Sequence, residues 1–172
     1  MSEEVLDIID EQDQIVGQAT YQEVHAQHLR HRVVHVNLLN DGDEVLLQLR
    51  SAHKNAYPLY WGFAAGGHVR HGETYERALV REAKEELGVT FSPKDFVYKG
   101  EGNYVDQRGH QIHYKTYEVH YDGPIESQNE EVDAVQFVSW GTLKEMIEEG
   151  KEKMQPEFIE VLKRHHAKEL GY

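Results

Sequence analysis

Three glutamates, Glu82, Glu85 and Glu86, stand in a stretch that reads as one continuous helix. Placed on a helical wheel with Glu82 at the origin, Glu85 falls about 60° to one side and Glu86 about 40° to the other. Leu79, Val80, Ala83 and Leu87 occupy a separate arc on the flank and back. Three carboxylates therefore share one face while the other packs on a core. Like charges at these spacings destabilise a helix by a few tenths of a kcal/mol per pair, roughly. A cation held between them removes that repulsion. An all-oxygen donor set without thiolates selects hard ions, Mg²⁺ first and Mn²⁺ second. Arg81 lies at the edge of the same face and can pair with Glu73, fixing the loop that leads into the helix. Gly66 and Gly67 permit close backbone approach, and a glycine carbonyl can itself ligate a metal. The plain alternative is a solvated, Glu-rich surface helix.

Other elements must hold this face in place. Val5 to Asp10 and Ile15 to Thr20 are short β-type runs around a polar break, which predicts an N-terminal hairpin. Tyr21 to His31 is polar and His-rich, a helical turn or a connection. Arg32 to Asn40 and Glu44 to Arg50 are strands joined by Asp41-Gly42-Asp43, a good turn sequence. A loop with aromatic anchors follows, then a Gly-rich strand end from Phe63 to Val69. The helix with the carboxylates runs from Thr74 to Leu87 and is closed by Gly88. Further strands are expected at Phe96 to Tyr104, Gln111 to His120 and Ala134 to Trp140. Thr142-x-x-Glu145 has the form of a capping box for a short helix ending at Gly150. Pro156 opens a last helix, and Gly171 stops it. Strands wrapped by one central and two C-terminal helices indicate a mixed α/β sandwich.

Composition narrows the function classes. With 172 residues, no repeats and no flexible linker, one domain spanning 1–172 is expected, its residues 1–30 forming the hairpin and connection. The net charge of −13 repels polyphosphate backbones, which argues against nucleic-acid polymers as partners. A small anionic substrate still fits if divalent cations and local Arg or Lys mediate the contact. There is no cysteine, hence no disulfide, thiolate metal site or Cys nucleophile. The acidic start lacks a signal-peptide layout, and no apolar run approaches the ~20 residues of a membrane span. A cytoplasmic protein without membrane contact is the expectation.

The segment from Gly67 to Val89 completes the case. It resembles the signature of the Nudix family, Gly-x5-Glu-x7-Arg-Glu-U-x-Glu-Glu-x-Gly-U with U a bulky aliphatic. Gly67, Glu73, Arg81, Glu82, Glu85, Glu86 and Gly88 meet every fixed position. At about one chance in fifteen per position, the coincidence has a probability on the order of 10⁻⁸. Ala83 is smaller than the usual aliphatic. The resemblance implies a Nudix α/β/α sandwich in which Glu82, Glu85, Glu86 and the Gly67 carbonyl hold catalytic Mg²⁺, with Mn²⁺ able to substitute. It implies metal-activated water attacking a phosphoanhydride in a nucleoside di- or triphosphate, or a related X-linked diphosphate. Glu82, Glu130 or Glu131 would accept the proton. A homodimer is the assembly such a resemblance suggests.

Within the family, Arg50-Ser51-x-x-Lys54-x-x-x-Pro58-x-x-Trp61 and Gly66-Gly67-His68 resemble the isopentenyl-diphosphate isomerase branch. By that likeness Arg50 and Lys54 contact the diphosphate, and His25, His31 and His68 hold a second metal. The isomerase's cysteine before the His is absent: Gly67 stands there. His113, Tyr114 and Lys115 occupy the strand where the isomerase has its acidic pair. An intact metal-binding helix without the thiol points to hydrolysis on an isomerase-like frame. The alternatives are an isomerase with an atypical base and a non-catalytic nucleotide-binding Nudix domain. Tyr57, Tyr60, Trp61, Tyr104 and Tyr114 are candidates for stacking on a base or a tail. His31 and His35 should share a strand face with Val33, as satisfied core histidines or part of an entrance to the site, and His165-His166 reads as a helix-end pair, favourable toward the dipole there.

Overall fold

A computed structural model describes residues 3–126 and 130–172. Strands β1 (Val5–Ile9) and β2 (Ile15–Thr20) form the N-terminal hairpin, with Val5 opposite Thr20. Thr20 then caps a short helix, α1 (Tyr21–Ala26). Its hydroxyl accepts from the Glu23 amide while the Glu23 carboxylate accepts from the Thr20 amide. The polar stretch after the hairpin is thus helical because a capping box starts it.

The apolar run that follows becomes β3 (His31–Leu39), the axis of a mixed sheet. It is followed by β4 (Val45–Arg50), β5 (Trp61–Gly62) and β6 (Ala65–His68). Helix α2 (Tyr75–Leu87) comes next, then a 3₁₀ turn at Pro93–Asp95 and the strands β7 (Val97–Val105) and β8 (Gln111–His120). Strand β9 (Val132–Val138) and helices α3 (Trp140–Glu149) and α4 (Pro156–His165) complete the chain. Strand β3 runs parallel to β8 from His31↔Ile112 to Leu39↔His120 and antiparallel to β6. Strand β4 is antiparallel to both β5 and β9.

Side chains alternate between the two faces of a strand, and here the alternation builds two cores. Val34, Val36, Leu38 and Leu46 pack with Ala78, Leu79, Ala83 and Leu87 of α2. Val33, Leu39, Val45 and Leu47 pack with Leu143 of α3 and Phe158, Val161 and Leu162 of α4. Helices therefore cover both sheet faces, the expected α/β/α layering. Leu79 and Leu87 are completely buried, so truncating either to Ala should cost about 2–5 kcal/mol.

Two expectations at the C-terminal end are corrected. The helix after β9 begins at Trp140, before Thr142: Ser139 is its N-cap, accepting from the Thr142 amide at 3.1 Å. A serine three residues ahead of the apparent box won the capping role, which also ends β9 at Val138. The His165-His166 pair does close α4, with His166 as its C-cap, but it is not an exposed pair facing the helix dipole. His166 is fully buried and stacked on Trp140 (5.3 Å between centroids), with Nε2 accepting from Asn37 Nδ2 at 3.3 Å. Burial lowers the pKa of both histidines.

This burial has a measurable consequence. His31, His68, His110 and His113 are shifted downward as well, each chiefly by burial. Above the unfolded value of about 6.5 these groups are neutral in both states. Below it only the unfolded chain takes up the protons, so stability falls as pH falls. In a Glu82→Gln/Glu86→Gln background, which removes the two raised carboxyls that act with the opposite sign, urea unfolding at pH 7.5 and 5.5 should show the lower stability at 5.5. His166→Gln, which faces Lys99, Glu118, Glu169 and His165, should flatten that slope by up to about 1.4 kcal/mol per pH unit. An unchanged slope would count against a neutral His166.

Candidate active site

Helix α2 is started by Thr74, whose hydroxyl accepts from the Arg77 amide, and ended by Gly88 in the left-handed conformation (φ 72°). Between these caps its inner face packs on the sheet. The carboxylates of Glu82, Glu85 and Glu86 emerge at one end of a cavity of about 720 Å³, a size suited to a nucleotide-sized ligand. Glu82 and Glu86 are 8% and 3% exposed, whereas Glu85 lies at the rim.

Each buried carboxylate is aimed by a specific partner. Glu86 Oε2 accepts from Gln48 Nε2 at 3.0 Å and from the Gly66 amide at 3.1 Å. Gln48 belongs to β4 and Gly66 to β6, so the sheet itself orients the carboxylate. Arg81 holds Glu82 through Nη1 and also reaches Glu85. The same guanidinium makes a two-pronged contact with Glu73, at 3.0 and 2.9 Å, and donates to the His68 carbonyl at 2.9 Å. Glu73 in turn accepts from the Arg70 amide, closing the loop before α2. Arg81 and Glu73 do not line the cavity; they stand behind its wall and fix the parts that do.

The electrostatics follow from the burial. Glu82 is pushed up to about 7 by desolvation and the nearby Glu86 charge, with Arg81 opposing. Glu86 is raised by desolvation too, against the hydrogen bonds from Gln48 and Gly66. Two carboxylates held together out of water need positive charge to stay ionised. Gly67 is part of the same geometry: a Cβ there would lie 2.3 Å from Glu82 Oε1. Only a bare backbone fits against that carboxylate.

The cavity continues past Arg50 and Lys54. Arg50 donates from Nε to the Ala56 carbonyl at 3.0 Å, which anchors the guanidinium at the wall, and burial lowers its pKa. Lys54 Nζ lies 2.5 Å from Glu131 Oε2, tying the 51–59 loop to the turn before β9. Glu130 and Glu131 both line the cavity. Of the aromatic candidates, Tyr57 and Tyr104 do so, whereas Tyr114 is fully buried, with its hydroxyl 3.1 Å from His165 Nε2.

At another side of the mouth His25, His31 and His68 offer nitrogens that all lie within 4.8 Å of one another. His31 is lowered to about 4 by burial, and His68 falls well below its ordinary value for the same reason. Both are held as neutral imidazoles, the form that binds metals.

The carboxylate cluster coincides with the region that known proteins share with this chain. The NUDIX domain family matches residues 29–162. The chain is a Nudix hydrolase. An uncharacterized Nudix hydrolase of Streptomyces coelicolor is 39% identical over 132 residues, which are 76% of this chain and 72% of the relative. One from Pseudomonas aeruginosa is 32% identical over 136 residues, 78% of each protein. A crystal structure from Deinococcus radiodurans has the same fold, with a TM-score of 0.77 at 24% identity, over 94% of this chain and 99% of that one. As a Nudix hydrolase the protein cleaves phosphoanhydride bonds.

Two groups of cavity residues escape sequence reasoning. Gln48 interrupts the apolar part of VLLQLR, and that break in the pattern was a usable signal. Gln155 and Glu157 also line the cavity. For Gln155 and Glu157, at the start of α4, no local pattern marks them, because they lie far along the chain from the Gly67–Val89 segment.

Proposed function

We propose that this Nudix hydrolase is a Mg²⁺-dependent pyrophosphohydrolase acting on nucleoside di- or triphosphates or related X-linked diphosphates. The observation that carries the reading is the pair of buried, oriented carboxylates Glu82 and Glu86 lining a cavity that Arg50 and Lys54 also line. The donor set is all oxygen, and burial pushes Glu82 and Glu86 upward even with Arg81 on Glu82, so further positive charge from a hard divalent ion is accommodated: the residues fit Mg²⁺, with Mn²⁺ able to replace it. Glu82, Glu85, Glu86 and the Gly67 carbonyl would hold it. When bound, the ion neutralises the diphosphate and acidifies a water.

The chain's own residues do the remaining work. Arg50 and Lys54 bind and align the phosphoryl oxygens, a role in which planar guanidinium and ammonium donors excel. Gln48 and Gly66 keep Glu86 in one orientation, and Arg81 does the same for Glu82. The water's proton passes to Glu82 or to a loop carboxylate, Glu130 or Glu131. The His25, His31 and His68 cluster is a second metal site of the same cavity. Titrating the protein with Co²⁺ or Zn²⁺ should show tight binding, and His31→Ala should weaken it by at least about tenfold. Equal affinity in wild type and variant would remove that site.

The decisive assay is incubation with Mg²⁺ and a panel of nucleoside di- and triphosphates, nucleotide sugars, dinucleotides and isoprenoid diphosphates, reading released phosphate and pyrophosphate. Turnover of a nucleotide is expected. Nucleotide binding without turnover in Mg²⁺ or Mn²⁺ would replace the reading with a non-catalytic one. Deuterium exchange from solvent into isopentenyl diphosphate would replace it with isomerisation.

A further inference from the structure

The β1–β2 hairpin lies ahead of the residues 29–162 that match the NUDIX domain family, yet it is joined to the loop that leads into α2. The His71 amide donates to the Val5 carbonyl at 2.8 Å, and Leu6 forms an antiparallel bridge with Arg70. Next along β1 comes Asp7, which is 3% exposed. Its Oδ1 accepts from His71 Nδ1 at 2.6 Å, and its Oδ2 accepts from the Gly72 amide at 3.4 Å. One buried carboxylate thus grips two successive residues of a turn, the second of them in the left-handed conformation (φ 73°). Glu73 follows directly: its amide donates to the Arg70 carbonyl at 2.9 Å, and its carboxylate holds Arg81. At the tip of the hairpin, Asp13 accepts from Arg32 Nε at 2.6 Å and from the Tyr75 hydroxyl at 3.3 Å. Tyr75 is the first residue of α2.

Attachment of the hairpin does not by itself require these carboxylates. Leu6, Ile9 and Val24 are buried and already seat the hairpin and α1 on the rest of the fold. Apolar residues in place of buried ionic groups are often neutral or stabilising. What a carboxylate adds is direction, because its hydrogen bonds fix distance and angle where apolar contact fixes neither. We propose that Asp7 is a positioning residue for the hydrolysis. It sets the turn from Arg70 to Glu73, and through Glu73 and Arg81 it places Glu82 and the end of β6, whose His68 carbonyl accepts from Arg81. Asp13 pins the start of α2 from the same hairpin. The proposal rests on the reading that Glu82, Glu86 and the Gly67 carbonyl do the chemistry, and adds a brace from outside the Gly67–Val89 segment. Asp7 does not line the cavity, so its loss acts on the geometry of the reacting groups rather than on substrate binding.

The experiment compares wild type with Asp7→Ala, with the shape-preserving Asp7→Asn, and with Ile9→Ala, which thins the packing of the same hairpin. Two quantities are read. The first is kcat and KM, separately and per folded enzyme, on the best substrate of the panel above. The second is backbone hydrogen exchange at Gly72 and Glu73 in the metal-free proteins. Asp7→Ala should lower kcat by about ten- to a hundredfold with KM within about twofold of wild type, the scale of a reacting group misplaced by about 1 Å. Its Gly72 and Glu73 amides should exchange at least about tenfold faster. Asp7→Asn keeps one oxygen for one of the two donors and should fall between; if Asp7→Ala does not fold, Asp7→Asn decides by the same two readouts. Ile9→Ala should lose stability yet keep kcat and the exchange of both amides within about twofold. Turnover within about twofold of wild type in both Asp7 variants would overturn the positioning role. So would an equal loss of kcat in Ile9→Ala, or unchanged exchange at Gly72 and Glu73 in Asp7→Ala. If Glu86→Gln keeps wild-type turnover, the reading of the site fails first, and the role of Asp7 in the chemistry falls with it even where exchange at the turn still responds.

Discussion

Replacing Glu86 by Gln is expected to lower kcat for phosphoanhydride hydrolysis by about 10³-fold, the scale of several kcal/mol of lost charge stabilisation. The substitution keeps shape and keeps an oxygen able to accept from Gln48 Nε2 and the Gly66 amide. What it removes is the negative charge facing the cavity. The effect on stability should have the opposite sign. Burial raises the Glu86 pKa, and a carboxyl raised in the fold contributes stability at low pH that is lost as pH rises. At pH 7 the metal-free fold therefore bears the cost of keeping this carboxyl out of water, and the neutral amide relieves it. Thermal unfolding without divalent ions should show Glu86→Gln equal to or more stable than wild type. A catalytic loss below about tenfold on every active substrate would remove Glu86 from the chemistry. A loss accompanied by a lower Tm would assign it to collapse of the fold instead.

Gly67→Ala is expected to cost about 10²-fold in kcat/KM while changing stability by less than about 1 kcal/mol. The added Cβ would fall 2.3 Å from Glu82 Oε1 and 2.5 Å from its Cδ. Those atoms end a flexible side chain, so the protein can yield by turning the carboxylate aside. That turn takes Glu82 out of its place beside Glu86 and away from Arg81. Misplacing a reacting group by about 1 Å suffices for such a loss. Gly17→Ala, where a Cβ meets nothing within 4 Å, is the control and should leave both quantities unchanged. Gly67→Ala with wild-type turnover would show that the carboxylate has room the structure does not display.

The two substitutions act on different layers of one site, and a high price in catalysis with little in stability is what a buried charge cluster should produce. Arg81 ties the layers together. Its five donors serve Glu73, Glu82, Glu85 and the His68 carbonyl, so the loop before α2 and the helix face move as one unit.

Much of this was legible in the chain itself. The i, i+3, i+4 spacing places Glu82, Glu85 and Glu86 on one face whatever surrounds them, since helix geometry is local. Thr74 and Gly88 bound that helix by capping chemistry that needs no tertiary partner. The hairpin, the Asp41–Asp43 turn and the alternation in β3 are local in the same sense. Where two local signals competed, as with Ser139 and Thr142, the order along the chain did not say which would cap, and packing of Trp140 into the second core settled it. Charge states were equally out of reach. His165-His166 reads as a helix-end pair favourable toward the dipole until Trp140, Asn37 and the closing core take His166 out of water. The partners that aim the carboxylates, Gln48 and Gly66, come from strands brought beside α2 only by the sheet. Glu157 meets His35 across more than a hundred residues of chain. Sequence alone thus determined the reaction class, because the signature from Gly67 to Val89 lies within one continuous segment. The tertiary structure decided how that face is aimed and what lies across from it, because those contacts exist only after distant segments are packed together.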